Sequence, residues 1–136
     1  MAQKKIKKVI VIGSNSFSGG SYIKLLLKKK YKVFAISRSK LVNKKFLPFN
    51  IRDKNFSFTS LDLNKDHKRI ISHIKKIKPK YIVNYASQSM VGESWDNPID
   101  WYQTNSLSMI KLYNSIANTK LNLKLIHIST PEVYGN

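Results

Sequence analysis

The stretch VIVIGSNSFSGGS, residues 9–21, decides the fold of this chain. An apolar, β-branched run ends at Gly13, a turn of mostly small and polar residues follows, and Gly19 and Gly20 lead into a helical pattern. A strand, a tight glycine turn and a helix N-terminus in this order form the phosphate cradle of α/β nucleotide-binding folds. The free N–H groups and partial positive charge at the start of the helix suit a pyrophosphate.

The spacing of this motif is Gly13, Ser16, Gly19, so a serine stands where the usual fingerprint has its middle glycine. A structural turn that binds no ligand is the alternative interpretation of such a motif taken alone. The flanking strand and helix favour a dinucleotide site, in which Gly13 permits the tight turn and Gly19 permits a close approach of the helix.

Apolar strands alternate with amphipathic helices along the rest of the chain. The pattern predicts three helices, at 21–30, 66–78 and 99–118, and loops at 40–56 and 87–97. It predicts five strands, at 6–12, 31–37, 58–63, 81–85 and 123–129. This alternation indicates a doubly wound parallel α/β sheet of the Rossmann type, with its five strands in the order 3-2-1-4-5.

Length and composition fit one domain, residues 1–136, with a net charge of +18 that comes mostly from lysine. Such a charge can indicate that the protein binds nucleic acid, an anionic membrane surface or anionic small substrates. The lysines lack the arginine clusters and interleaved aromatic residues of a nucleic-acid face. We therefore expect a solvated lysine-rich surface with no nucleic-acid or membrane partner, and a nucleic-acid binder on the same scaffold is the minor alternative.

Cysteine is absent from the sequence, which excludes disulfides and cysteine-based metal sites and fits a reducing compartment. The apolar run behind the basic start is too short for a signal peptide, and no segment approaches transmembrane length. The sequence therefore predicts a soluble cytoplasmic protein.

The end of the second predicted strand bears on the choice of cofactor. In this fold an acidic residue there accepts hydrogen bonds from the adenosine ribose and favours NAD, whereas a nearby arginine admits the 2′-phosphate of NADP. Here Ser37 occupies the position and Arg38 follows it. We predict NADP, with NAD as the alternative if Arg38 is only one more basic surface residue.

Five motifs in order extend this interpretation: GSNSFSG at 13–19, LDL at 61–63, NYASQSMVGESWDNP at 84–98, Asn105, and STPEVYG at 129–135. Together they resemble the extended short-chain dehydrogenase/reductases of the NAD-dependent epimerase/dehydratase family. Within that family the chain is most similar to sugar-nucleotide 4,6-dehydratases such as those acting on GDP-mannose. The resemblance implies oxidation of the sugar at C4, elimination of water and return of the hydride, with a sugar-nucleotide epimerase as the alternative.

The resemblance also implies roles for individual residues. Together with Ser37 and Arg38 from the strand argument, the expected cofactor-binding residues are Gly13, Ser16, Phe17, Gly19, Asp62, Leu63, Ala86 and Ser87. The expected substrate-side residues are Gln88, Ser89 and Asn105.

Two catalytic residues follow from the last motif. The resemblance implies that the Thr130 hydroxyl bonds the sugar O4 during oxidation. It further implies that Glu132 acts as the general base on the C5 proton. Pro131 stands where dTDP-glucose-type dehydratases carry an acid, which favours the GDP-mannose type.

The family's hydride chemistry requires a Tyr-x-x-x-Lys pair, in which the lysine activates the tyrosine, and this sequence contains none. We therefore expect the chain to represent the N-terminal portion of a larger enzyme, without the substrate domain and without turnover by itself. A truncated cofactor-binding module without catalysis is the alternative of another class. The resemblance implies a nucleotide-sugar partner and a homodimer formed through the helix at 99–118.

Overall fold

The computed structural model of the protein describes residues 6–130, 134 and 135. One parallel sheet organises them, in the strand order β3-β2-β1-β4-β5. The strands are β1 (Lys8–Ile12), β2 (Lys32–Ser37), β3 (Phe56–Ser60), β4 (Tyr81–Asn84) and β5 (Lys124–His127). The predicted fold class and strand order are confirmed.

Helices cover both faces of this sheet. They are α1 (Phe17–Lys28), α2 (His67–Ile77), α3 (Val91–Asp96), α4 (Pro98–Tyr102) and α5 (Ser108–Ala117), and a π-helical turn, Gln103–Leu107, joins α4 to α5. A short 3₁₀ turn, Lys44–Phe46, lies in the segment between β2 and β3. No helix in the described part of the chain has the length and apolar character that a membrane crossing requires.

The two faces of the sheet form two separate apolar cores, because successive side chains of a strand point to opposite sides. On one side, Ile10 and Ile12 of β1 pack with the isoleucines of α2 and with Leu112 of α5. On the other side, Val9 and Val11 pack with Ile23, Leu26 and Leu27 of α1. The central strand β1 is thus buried on both faces, as a parallel sheet requires.

Several predicted element boundaries were wrong. Helix α1 begins at Phe17, four residues before the predicted start, because Ser16 caps it. Strand β3 covers Phe56–Ser60 and not 58–63, so the LDL motif follows the strand, although Leu61 and Leu63 stay buried. The remaining strands and α2 are one to three residues shorter than predicted, since their ends leave the ladder or the helix early.

The segment after β4 departs most from the prediction. The predicted loop 87–97 contains helix α3, which buries none of its residues and therefore has no apolar periodicity to reveal it. The predicted single helix 99–118 is divided by the π-helical turn Gln103–Leu107. Such turns rotate the side chains that follow them and are frequent at functional sites.

Candidate functional site

The turn after β1 requires glycine at Gly13. Its φ of +77° lies in the left-handed region, and a Cβ there would approach the backbone nitrogen of Ala86 to 2.5 Å and the carbonyl carbon of Tyr85 to 2.6 Å. The Gly13 and Ser14 amides both donate to the Ile36 carbonyl. The turn is therefore pressed between the ends of β2 and β4, where only a residue without a side chain fits.

Ser16 closes this turn onto helix α1. Its hydroxyl donates to the Gly13 carbonyl (2.8 Å) and accepts from the Gly19 amide (3.0 Å), which makes it the N-cap of α1. A Cβ at Gly19 would lie 2.6 Å from the Gly13 oxygen, so the glycine keeps the helix close to the turn. The first N–H groups of α1, at Phe17 and Ser18, have no acceptor within the helix and are available to an anion.

A first cavity of about 160 Å³, open to solvent, lies where β1, β2, β3 and β4 end. The structure brings nine of the predicted site residues to its wall: Gly13, Ser16, Ser37, Arg38, Asp62, Leu63, Ala86, Ser87 and Gln88. Five further lining residues were not predicted: Ile12, Leu61, Asn64, Tyr85 and Thr104.

Two predicted cofactor residues do not line this cavity. Phe17 is 90% exposed and borders a smaller cavity beside Phe46 and Pro48. Gly19 is buried behind Gly13 and acts on the site through the position of α1.

The charges of the first cavity come from the ends of β2 and β3. Arg38 is exposed, and within the described residues the one ion pair is Arg69–Asp66, so the Arg38 guanidinium is free for a ligand. The Ser60 hydroxyl donates a hydrogen bond to the backbone carbonyl of Arg38 (3.0 Å). The Asp62 carboxylate accepts a hydrogen bond from the backbone N–H of Asn64 (2.8 Å), and this bond orients the carboxylate in the turn after β3.

A tyrosine borders the cavity from the end of β4. Burial raises the pKa of the Tyr85 phenol above its ordinary value, and the nearby Tyr22 ring, 5.9 Å away between centroids, raises it further. Tyr85 is therefore a neutral wall residue at physiological pH and not a proton acceptor.

A second cavity, of about 520 Å³, shares Ala86, Ser87 and Gln88 with the first. The predicted substrate-side residues Ser89 and Asn105 and the predicted catalytic residue Thr130 line it. Unpredicted members of its wall are Val91, Ser94, Trp101, His127, Ile128 and Ser129. Pro131 and Glu132 lie outside the described residues.

Polar contacts tie the π-helical turn to the loops around both cavities. Asn105 forms two hydrogen bonds with the backbone of Gln88, each 2.8 Å long. Asn64 donates to the Thr104 hydroxyl (3.0 Å) and accepts from the buried Ser108 hydroxyl (2.8 Å). The sequence signalled Asn105 through its motif, but the partners of Asn64 lie about 40 residues away and had no local signal.

In the described part of the chain, no three histidine, cysteine or acidic residues lie together in a way that could hold a metal ion. What the site does offer is a glycine turn, a helix N-terminus, one free cation and two adjoining cavities at the carboxyl ends of the strands. The strand order reverses between β1 and β4, and the first cavity opens at this switch point. These features define a Rossmann-like α/β domain with its ligand crevice in the usual place for this architecture.

The chain belongs to the family described as GDP-mannose 4,6 dehydratase, whose model matches residues 10–136. A curated relative, the UDP-glucose 4-epimerase of Mycoplasma genitalium, is 23% identical over 128 residues, which are 94% of this chain and 37% of the relative. The chain therefore spans little more than a third of the length of this relative.

Two solved structures share the fold. The UDP-Glc/GlcNAc 4-epimerase from Campylobacter jejuni superposes with a TM-score of 0.82 at 24% identity, over 95% of this chain and 39% of that one. The UDP-glucose 4-epimerase from Brucella ovis in complex with NAD gives a TM-score of 0.79 at 22% identity, over 96% of this chain and 38% of that one.

Proposed function

We propose that this chain is the cofactor-binding portion, residues 1–136, of a nicotinamide-dependent enzyme that oxidises a nucleotide sugar at C4. The observation that carries the proposal is the first cavity, which joins the Gly13 turn, the end of β2 and Ala86 in one crevice. A dinucleotide needs a pyrophosphate cradle and a ribose contact, and the Gly13 turn and the end of β2 in this crevice support these two roles.

The residues present fit such a cofactor. Gly13 permits the tight turn that leads into α1, and the free N–H groups at the start of α1 supply donors for a pyrophosphate. Ser37 and Arg38 suit the adenosine ribose, and Asp62 suits the exocyclic amine of the adenine. The presence of NAD in the Brucella ovis epimerase structure supports a nicotinamide cofactor of the same class.

We propose NADP as the preferred cofactor and NAD as the alternative. Ser37 provides no carboxylate to accept from both ribose hydroxyls, and Arg38 is exposed without an acidic partner among the described residues. A guanidinium is well suited to a 2′-phosphate, because it donates several hydrogen bonds in one plane.

The second cavity is the proposed sugar site. Thr130 would bond the sugar O4, while Gln88, Ser89 and Asn105 form the wall that continues from the cofactor side. A nicotinamide bound in the first cavity would supply the reversible oxidation at C4. Glu132 would remove the C5 proton once the C4 ketone has acidified it, which is the step that leads to loss of water.

We propose a 4,6-dehydratase of the GDP-mannose type, because Glu132 follows the non-acidic Pro131 and the family model carries the same description. A 4-epimerase is the second candidate, and the Mycoplasma genitalium relative favours it. Incubation of the larger enzyme, of which this chain is the proposed cofactor-binding portion, with the cofactor and either GDP-mannose or UDP-glucose distinguishes the two. A dehydratase product loses water, whereas an epimerase product keeps its mass.

We further propose that this chain alone lacks turnover, because it contains no Tyr-x-x-x-Lys pair. A cofactor-binding module without catalysis is the alternative that this experiment also tests. A homodimer through the helical segment from Pro98 to Ala117 is supported by its exposed apolar residues Ile99, Tyr102 and Ile110. The cysteine-free composition supports a cytoplasmic location.

The decisive experiment is a fluorescence titration of the purified chain with NADPH and NADH. Arg38→Ala should weaken NADPH binding by about 10-fold or more, the loss expected for a charged hydrogen bond, and should leave NADH binding nearly unchanged. Arg52→Ala is the matched control, since Arg52 is an exposed arginine that lies away from the first cavity. Absence of binding to either nucleotide by a folded chain would contradict the proposal.

A further inference from the structure

We propose that His127 is a positioning residue that offers its Nε2–H as a donor to the second cavity, because Asn84 fixes the location of its ring proton. The role in the second cavity rests on the proposed function, whereas the proton location rests on contacts within the chain. His127 ends β5 and Asn84 ends β4, and the two are paired in the register of the parallel sheet.

The orientation of the Asn84 amide follows from its contacts. Asn84 is fully buried, and its Oδ1 lies 3.0 Å from the backbone nitrogen of Ala86. A backbone N–H can only donate, so the oxygen of the amide must face Ala86. The Nδ2 group therefore faces the other two partners, the Met109 sulfur at 3.0 Å and the His127 Nδ1 at 3.1 Å.

The protonation of His127 follows in turn. An amide NH₂ group only donates, so Nδ1 of His127 must accept and carries no proton. The ring N–H that His127 can donate elsewhere then lies on Nε2. The Tyr113 ring meets the imidazole edge to face, with centroids 5.8 Å apart, and limits rotation of the ring. Asn84 and Tyr113 are the groups that contact the imidazole from β4 and α5.

This arrangement determines what the second cavity recognises at His127. An Nε2–H donor suits a hydroxyl or carbonyl oxygen of a sugar ring, since these oxygens accept hydrogen bonds. His127 lines this cavity together with Thr130, and Ala86 lines both cavities. The contact series from Ala86 through Asn84 to His127 therefore links the cofactor side of the crevice to the sugar side.

Long-range ¹H–¹⁵N correlation spectra of the labelled 136-residue chain test the proton location. At neutral pH we expect the Nε2–H form for His127 in the native chain. Asn84→Asp should move the proton to Nδ1, because the second carboxylate oxygen would accept where the amide donated. His67 and His73 serve as internal controls with unchanged signals. A native Nδ1–H form, or an unchanged His127 signal in a folded Asn84→Asp chain, would overturn the proposal.

Two further measurements decide the outcome if Asn84→Asp does not fold. His127→Gln keeps an acceptor for the Asn84 amide and should retain the urea midpoint of the native chain, whereas His127→Phe removes it and should lower that midpoint. Equal midpoints for the two variants would overturn the Asn84 link. Titration with GDP-mannose and, separately, with UDP-glucose in the presence of NADPH should shift the His127 Nε2 signal with one of the two. No shift with either sugar nucleotide would overturn the donor role. Failure of NADPH binding with the native proton location intact would instead count against the proposed function.

Discussion

The side-chain amide of Asn105 hydrogen-bonds both the backbone N–H and the backbone carbonyl of Gln88. The Asn105 Oδ1 accepts from the Gln88 amide and its Nδ2 donates to the Gln88 carbonyl, each at 2.8 Å. Gln88 lines both cavities, and Asn105 lies in the π-helical turn Gln103–Leu107. One amide side chain therefore fixes the loop after β4, which carries the wall shared by the two cavities.

Replacement of this amide should loosen the loop. We expect Asn105→Ala to cost about 1–2 kcal/mol of unfolding free energy, since two hydrogen bonds at an exposed site are lost. Hydrogen exchange at the Gln88 amide should increase more than exchange in β4. Asn114→Ala is the matched control, because Asn114 is an exposed asparagine of the following helix α5. Equal hydrogen exchange at the Gln88 amide in the two variants would contradict the role of Asn105 in fixing this loop.

The second prediction concerns the glycine turn. Gly13→Ala should destabilise the protein by about 3 kcal/mol or more, because it adds a left-handed non-glycine residue and a Cβ that collides with the Ala86 backbone. Gly92→Ala is the control, since a Cβ there meets nothing within 4 Å and alanine favours the helix by about 0.5–1 kcal/mol. Urea denaturation measures both, and a tolerated Gly13→Ala would refute the close approach of the turn to β4.

The third prediction concerns the serine of the glycine motif. Ser16→Ala should lower the free energy of unfolding by about 1 kcal/mol, because the backbone N–H of Gly19 loses its capping acceptor. Ser16→Gly should lower it by only about a few tenths of a kcal/mol. The same urea measurement compares the two variants. An equal loss for alanine and glycine would show that the capping bond contributes little to the stability of α1.

The fourth prediction is a loss of stability in mild acid. Burial lowers the pKa of His67, with a contribution from Lys111, and burial together with Lys76 lowers the pKa of His73. The unfolded chain therefore binds more protons than the native one, and stability rises with pH. This contribution is fully present above the unfolded histidine pKa of about 6.5 and is lost as pH falls through the lower native values.

Urea midpoints test this pH dependence when they are measured between about pH 7.5 and 5.5, because this interval spans the unfolded histidine pKa. The double variant His67→Gln/His73→Gln should show a flatter profile over the same interval. An identical slope in the native chain and the double variant would assign the acid sensitivity to other groups.

The fold was largely predictable because its signals are local. The run Val9–Ile12 and the glycine turn behind it marked β1 and α1, and their alternation with later apolar runs fixed the parallel sheet and its order. The elements that the pattern missed bury little or deviate from a regular period. Helix α3 buries no residue, and the π-helical turn shares its polar composition with ordinary helix.

The sequence by itself determined the crevice and most of its lining, because the carboxyl ends of parallel strands must meet at one edge of the sheet. Only the tertiary structure decided the polar contacts that shape it. Asn105 meets Gln88 across 17 residues, Asn64 meets Thr104 across 40, and Asn84 meets His127 across 43. These pairs depend on how the π-helical turn and the strand register orient each side chain, and no periodicity along the chain encodes that orientation.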